Sequence, residues 1–427
     1  MIKYKLRKLF HYDYILFRIG LFFIPSAFPI ASLLIIIALL SQTLKKRDSF
    51  LKDKFNKTLI IISVLMIISC IVQNLFNIYI KDYGIKNYLT WIGLFNWIPF
   101  FWLFWSAQEF LKTRSDRNIF SLILTLSTIP VILSGIAQYY FDLVGPFRFL
   151  NGLIIWYQRP IDEISGLTGL FNHANYAGSW LTIILPLCIA QAFNNSEKIF
   201  SKNIFKTILT GIILCIILTN SRNAWGSTIL TLPLIFGINI IKWFIPLLIF
   251  ISTIILVTTK NIFTGITQEF FRELIPDKIW LEFTNEGFSQ LDATRFEILN
   301  SALAIIIKNP FFGTGAASFP IIYEFETGFW KGHSHNLIAE LSISYGIPCT
   351  IILLAFIGYI LYFSFKKLYI KEERQINDKA FLVATLVFLF SQLVDIQYFD
   401  GRISLLFWLL LAGLKCIIDE NKLISDT

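Results

Sequence analysis

The residues most able to do chemistry stand in Gly332-His333-Ser334-His335-Asn336, which holds two of the chain's four histidines just ahead of an apolar run. An imidazole ordinarily titrates near neutrality, so His335 could take a proton from a hydroxyl as a general base. Ser334 is a plausible N-cap for the run that follows. The positive end of that helix would hold the imidazole neutral, with Ser334 or Asn336 orienting it. The plainer reading is a capped helix start with an incidental histidine. His333 and His335 point to opposite sides of an extended strand, and no nearby Asp or Glu completes a zinc triad. No metal site is expected.

Two arginines share that part of the chain's chemistry. Leu291-Asp292-Ala293-Thr294-Arg295 opens a helical run that reaches Lys308 and stops at Asn309-Pro310. Thr294 suits the N-cap, so Arg295 adds a full charge to a helix terminus that already favours anions. Thr219-Asn220-Ser221-Arg222-Asn223 lies between two apolar runs with almost no loop. An arginine costs roughly 2.5–3.5 kcal/mol at a membrane helix centre and less near the interface. Arg222 therefore either snorkels from a short turn or faces inward and holds an anion such as phosphate. A third cluster, Gly166-Leu167-Thr168-Gly169-Leu170-Phe171-Asn172-His173-Ala174-Asn175, allows a tight turn, with Asn172 or Asn175 as a cap. Its plain reading is a helix start. Its functional reading has the amides and His173 lining a site for a hydroxyl-rich substrate.

The elements that position these residues read as membrane helices. Of the 427 residues, 56% are hydrophobic and 15% charged, against about 25% charged in soluble proteins. The mean hydropathy is +0.66. Apolar runs long enough to span a bilayer core follow one another along the chain. The net charge of +9 fits cytoplasmic loops held at anionic lipid better than nucleic-acid binding. Cys70, Cys188, Cys215, Cys349 and Cys416 lie in or beside apolar runs and read as core residues. The basic start, Lys3 to Lys8, has no small-residue cleavage site after it and reads as a retained anchor.

The fold class is all-α, a polytopic membrane protein with a large periplasmic loop that itself contains helices. The first run, Tyr14 to Leu44, has basic residues at both ends, which favours a hairpin broken near Pro25 and Pro29. Further runs fall near 58–80, 89–111, 118–141, 174–193, 204–220, 223–241, 243–259, 336–365, 380–397 and 402–418. Basic loops alternate along them, which gives about twelve spans with both termini cytoplasmic. Loops 142–173, 219–223, 260–335 and 398–402 then face outward. Three regions follow: an N-terminal bundle (1–259), a periplasmic loop carrying part of the active site (260–335) and C-terminal helices (336–427).

Together the clusters resemble the O-antigen ligase and O-antigen polymerase superfamily of bacterial inner-membrane glycosyltransferases. The resemblance rests on Thr219-Asn220-Ser221-Arg222, on Arg295-Phe296-Glu297-Ile298-Leu299 through Asn309-Pro310-Phe311-Phe312-Gly313-Thr314-Gly315, and on His335-Asn336-Leu337 leading to Tyr345-Gly346-Ile347-Pro348. Gly169-Leu170-Phe171-Asn172-His173-Ala174-Asn175 is similar to the family's glycine–asparagine loop. Pro348 departs from the family's second glycine but suits the start of a helix segment.

The resemblance implies transfer or polymerisation of a glycan from an undecaprenyl-diphosphate donor at the periplasmic face of the inner membrane. Arg222 and Arg295 would stabilise the diphosphate leaving group, and His335 would activate the acceptor hydroxyl. Asn172, His173, Asn175, Ser221, His333 and Asn336 would line the substrate site. No metal or cofactor is implied, since a diphosphate leaving group needs positive charge rather than a proton. The implied partners are the lipid-linked donor, a glycan, lipid-core or protein acceptor, and membrane lipids. The competing class is a transporter of an inorganic anion or a lipid-linked precursor. Inverted repeats and charges at mid-membrane would mark it, and neither is visible in the sequence.

Overall fold

The computed structural model describes residues 12–76, 83–161, 166–193, 199–237, 241–259, 265–274, 294–370 and 376–420. The basic start and most of the stretch between Glu269 and Glu286 lie outside these residues. Within 232–298, a unit of its own, an apolar helix runs Ile241–Thr259 and a strongly amphipathic one Ile266–Leu274. The other unit joins 1–231 with 299–427.

The described chain is helical apart from one antiparallel hairpin of Phe147–Phe149 with Ile154–Trp156. Among the described residues, six helices are long and apolar enough to cross a membrane: Phe28–Lys46, Lys54–Phe76, Arg114–Tyr140, Ala174–Phe193, Ile347–Ile370 and Gly401–Asp419. The protein is a multi-pass membrane protein. Several of the twelve expected runs are broken where hydropathy alone reads as continuous. The first run divides into Asp13–Phe23 and Phe28–Lys46 around Pro25. The run at 89–111 becomes Asn87–Gly93 and Ile98–Ser106, with Trp97 outside helical geometry and a proline opening the second piece. The run at 336–365 divides at Gly346, and the one at 380–397 stops being helical at Ser391.

The core is built on two helices buried along nearly their whole length, Ala174–Phe193 and Gly401–Asp419, with Ile376–Ser391 packed beside them. Their tryptophans satisfy their N–H groups as buried indoles must: Trp180 donates to Thr128 Oγ1 at 3.1 Å and Trp408 to the Tyr398 hydroxyl at 2.9 Å. All five cysteines are buried free thiols. The outer helices carry exposed apolar residues such as Leu33, Leu40, Ile61, Val64 and Ile68, a surface suited to acyl chains rather than water.

Two of the sequence motifs turn out to be one packing device. Gly346 has φ +85°, and a Cβ there would lie 2.1 Å from the Phe311 carbonyl oxygen. Only glycine allows that approach. Across it, the Ile347 N–H donates to Pro310 O at 2.7 Å and the Thr314 N–H to Ile343 O at 2.6 Å. The Asn309–Gly315 stretch thus holds the break between Leu337–Tyr345 and Ile347–Phe365, and Pro348 sits in the first turn of the second helix, as expected.

Ile376–Ser391 and Gly401–Asp419 are joined by residues 392–400, so their outer termini, Asp378 and Glu420, share the opposite end of the bundle. There the fully buried Arg117 holds Asp378 bidentately, at 2.7 and 2.9 Å, and Glu420 at 2.8 Å. A planar fork facing two carboxylates explains an arginine in that position. Arg117→Met should cost about 3–5 kcal/mol, because the buried Asp378 keeps only the exposed Arg114, 3.7 Å away, as a cation. Thermal unfolding in detergent should recover most of that loss in Arg117→Met/Asp378→Leu. Equal losses in the single and double variants would contradict this account.

Candidate functional site

The loop at 392–400 is shaped by Gln392. Its Oε1 accepts from the backbone N–H groups of Gln397 (2.9 Å) and Tyr398 (3.0 Å), while its Nε2 donates to Ser391 Oγ and Gln397 Oε1. The Gln397 side chain then turns its amide N–H toward Asp395 and donates to Oδ2 at 2.8 Å. Asn175, in the first turn of the buried Ala174–Phe193 helix, donates to the same oxygen at 2.8 Å. Asp395 is 4% exposed, and its second oxygen, Oδ1, lies 2.7 Å from His335 Nδ1. An ionised carboxylate only accepts, so Nδ1 carries the proton and Nε2 is left as the basic atom of the ring.

The backbone around His335 is built to present it. His335 has φ +55°, a left-handed conformation uncommon outside glycine. Its N–H donates to His333 Nδ1 at 3.2 Å. The helix cap is not Ser334, as its place before His335 suggested, but Asn336. The Asn336 Oδ1 accepts from the N–H groups of Ile338 and Ala339, both at 3.0 Å, and the helix runs Leu337–Tyr345. His335 is therefore oriented by a carboxylate rather than by the helix terminus. Ser334 is buried, donates its N–H to Glu340 Oε2 at 3.0 Å and its hydroxyl to Asn336 O. The Leu337 N–H and Asn336 Nδ2 bond to the carbonyls of Gln392 and Leu393, which docks this helix start onto the Asp395 loop.

The other expected residues divide by location. His173 accepts the Asn175 N–H at Nδ1, 3.1 Å, and so takes the capping role assigned to Asn172 or Asn175. Burial lowers its pKa below the ordinary histidine value, with Arg159 adding to the effect and the nearby Asp395 opposing it. Asn172 Oδ1 is buried without a protein partner among the described residues, as is Asn220 Nδ2. Ser221 is buried and accepts the Ala224 N–H at 3.4 Å, opening the Arg222–Phe236 helix. Arg222 is exposed on the first residue of that helix, and its neighbour Asn223 donates to Ser391 O at 3.1 Å. Arg295 heads the Arg295–Lys308 helix as expected. Thr294 Oγ1 accepts the Glu297 N–H at 3.3 Å, and the Glu297 carboxylate accepts the Thr294 N–H at 2.7 Å, a capping box. Arg295 belongs to the 232–298 unit and the histidines to the other.

Sequence reasoning missed Asp395, Gln397, Asn223 and Arg402. Arg402 pairs with Asp400, donates to Leu170 O at 3.3 Å and lies 3.9 Å over the Phe171 ring, pinning the 166–173 loop to the last helix. Contrary to the expectation from sequence, a carboxylate does join His333 and His335: Asp395 is near in space to His335 though 60 residues away in sequence. His333, His335 and Asp395 bring one ligand atom each within 4.8 Å of one another. Two imidazoles and a carboxylate are a donor set that can hold a transition-metal cation. The 2.7 Å hydrogen bond makes the same atoms a histidine–carboxylate dyad.

Residues 207–354 match the family model described as O-antigen ligase, a span that begins within the Ile199–Leu218 helix, includes Arg222, Arg295 and His335, and ends in the Ile347–Phe365 helix. No curated protein matches the chain.

Glu340→Ala should destabilise the protein by about 1–3 kcal/mol, since it leaves the buried Ser334 N–H without an acceptor. Glu340→Gln keeps an acceptor oxygen and should melt close to wild type. A glutamine variant as unstable as the alanine variant would show that the carboxylate charge is what the site needs.

Proposed function

We propose that this membrane protein, which carries an O-antigen ligase domain, transfers a glycan from a polyprenyl-diphosphate donor to an acceptor hydroxyl, with His335 as general base. The observation that carries the reading is the 2.7 Å contact between His335 Nδ1 and the buried Asp395 carboxylate. A carboxylate on one ring nitrogen fixes the tautomer, orients the other nitrogen and stabilises the imidazolium once it forms. The acceptor oxygen attacks the anomeric carbon, its proton passes to His335 Nε2, and the bond to the diphosphate breaks with its electron pair leaving on the diphosphate oxygen.

The leaving group carries its charge away and needs cations rather than a proton. Arg222, exposed at a helix start next to the capping Ser221, suits that role. The same role for Arg295 rests on its exposed place at the head of a capped helix. The sugar hydroxyls would be read by Asn172, whose buried Oδ1 has no donor among the described residues, with His173, Asn175, His333 and Asn336 around them. No step in this scheme calls for a metal, so His333, His335 and Asp395 act as proton-handling groups rather than ligands. We further propose that the donor lipid is undecaprenyl diphosphate and that the site faces the periplasm of a bacterial inner membrane.

His335→Ala should abolish transfer while leaving donor affinity nearly intact, and Asp395→Asn should lower kcat by about 10²–10⁴-fold with little change in KM. The experiment is transfer by purified protein from a lipid-linked donor, followed on gels and repeated with a chelator present. Loss of donor binding in His335→Ala would make the histidine structural, and inactivation by chelator would make the triad a metal site. Arg222→Lys should weaken transfer by losing the bidentate fork, and a fully active variant would remove Arg222 from the site. In cells lacking the gene, a single repeat left on the lipid core identifies a polymerase. Bare core with polymer retained on the carrier identifies a ligase.

A further inference from the structure

Asp400 and Glu420 flank the Gly401–Asp419 helix, which is about 28 Å long. At the Glu420 end, away from Asp395, lies a cavity of about 1110 Å³. It opens between the segment joining Phe28–Lys46 to Lys54–Phe76, the turn before Arg114–Ser127, and the Ile347–Phe365 helix. Most of its charges are paired within the protein. Lys46 bonds Glu109, Lys415 bonds Asp419 and lies 3.8 Å from Asp53, and Glu420 is held by Arg117. Lys52, Lys54 and Lys112 line the same cavity and have no ion-pair partner among the described residues. The lining holds five lysines against four carboxylates, so its balance is positive, and these three lysines are the ones no carboxylate holds among the described residues.

The rest of the wall mixes the polar Gln42, Ser49, Thr58, Ser106 and Gln108 with an apolar side on the Ile347–Phe365 helix. Ile351, Ala355 and Tyr359 recur every four residues on one helix, so they form a stripe about 12 Å long. Ile351 and Tyr359 are 58% and 51% exposed, and the stripe is open along its side. Phe55 and Phe356 meet edge to face behind it, and Lys415 lies 4.4 Å over the Phe55 ring. A small soluble anion would use the lysines and leave the stripe idle. An acyl chain would use the stripe and leave the lysines idle. The two features occur together in a cavity flanked by membrane-spanning helices, where a bilayer lipid is always available.

We infer that this cavity is a binding site for an anionic glycerophospholipid, with the headgroup phosphate held by Lys52, Lys54 and Lys112 and an acyl chain laid along Ile351, Ala355 and Tyr359. A cluster of lysines at a membrane surface attracts anionic headgroups in this way, and the apolar stripe adds selection for a tethered chain. The site is independent of the His335 chemistry.

Native mass spectrometry of the full-length protein in neutral detergent tests it, with phosphatidylglycerol, phosphatidylcholine and inorganic phosphate as probes. Phosphatidylglycerol should be retained, phosphatidylcholine should not, and phosphate should not compete. Lys52→Gln/Lys54→Gln/Lys112→Gln should lower retention at least about tenfold, and the three arginine replacements should keep it. Ala355→Trp fills the stripe without touching a charge and should also release the lipid. Should the glutamine variant fail to fold, the arginine and tryptophan variants decide. Undiminished phosphatidylglycerol binding in Ala355→Trp, loss of the lipid in the arginine variant, or equal competition by inorganic phosphate would overturn the proposal.

Discussion

The hydrogen bond between His335 and Asp395 is the contact on which the surrounding architecture depends. A carboxylate buried among membrane helices is costly unless its oxygens are met by donors. Asp395 meets that condition with one donor from each of three places: Asn175 on a core helix, Gln397 within its own loop, and His335 from the loop before Leu337. Segments far apart in sequence are thereby brought to a single side chain. The turn at Ser221 joins through Asn223, which bonds the Ser391 carbonyl at the rim of the same loop. None of these partners is rigid alone. What fixes them is that each satisfies a group another would otherwise leave unmet.

The positive φ of His335 belongs to the same arrangement. A non-glycine residue held in the left-handed region costs of order 1–3 kcal/mol and persists where its surroundings over-determine it. Here the surroundings do so on both sides. Ser334 is locked to Glu340 before it, and Asn336 caps the helix after it while bonding the Leu393 carbonyl. The strain turns the imidazole toward Asp395, which a relaxed extended strand would not do. It also brings the His335 N–H onto His333 Nδ1, so that the two rings sit 4.5 Å apart instead of on opposite sides.

How much of this was legible in the sequence depends on the range of the interaction. Local signals survived well: the capping box at Thr294 and Glu297, the helix from Arg295 to Lys308, the limits of Ala174–Phe193 and the all-α membrane class. The choice of Ser334 as a cap failed by two residues, because an asparagine at 336 competes for the same N–H groups and the chain turns left-handed between them. Asp395 was invisible for a different reason. It falls within the apolar stretch 380–397, where averaged hydropathy absorbs one acid, and its partners lie 60 and 220 residues away. The signal that could have exposed it was there: Gln392, Asp395 and Gln397 crowd the last part of a supposed span, and a bilayer core has no donors for three such side chains.

The two ends of the central helix pair obey one rule. At one end Arg117 joins Asp378 and Glu420, and Asn118 accepts from both Gln191 and Asn377, so the Arg114–Ser127, Ala174–Phe193, Ile376–Ser391 and Gly401–Asp419 helices are tied together. At the other end the Gln392 network and Asn175 tie three of the same helices again. Between them the contacts are mostly apolar, the Trp180–Thr128 hydrogen bond apart, and the hydrophobic effect is non-directional, which leaves some freedom in register. Directional bonds at both ends remove that freedom. A loop mounted on helices clamped in this way keeps Asp395 at a fixed height, and the base proposed here, which would meet a lipid-borne substrate at one depth, needs that fixity more than it needs a deeper pocket.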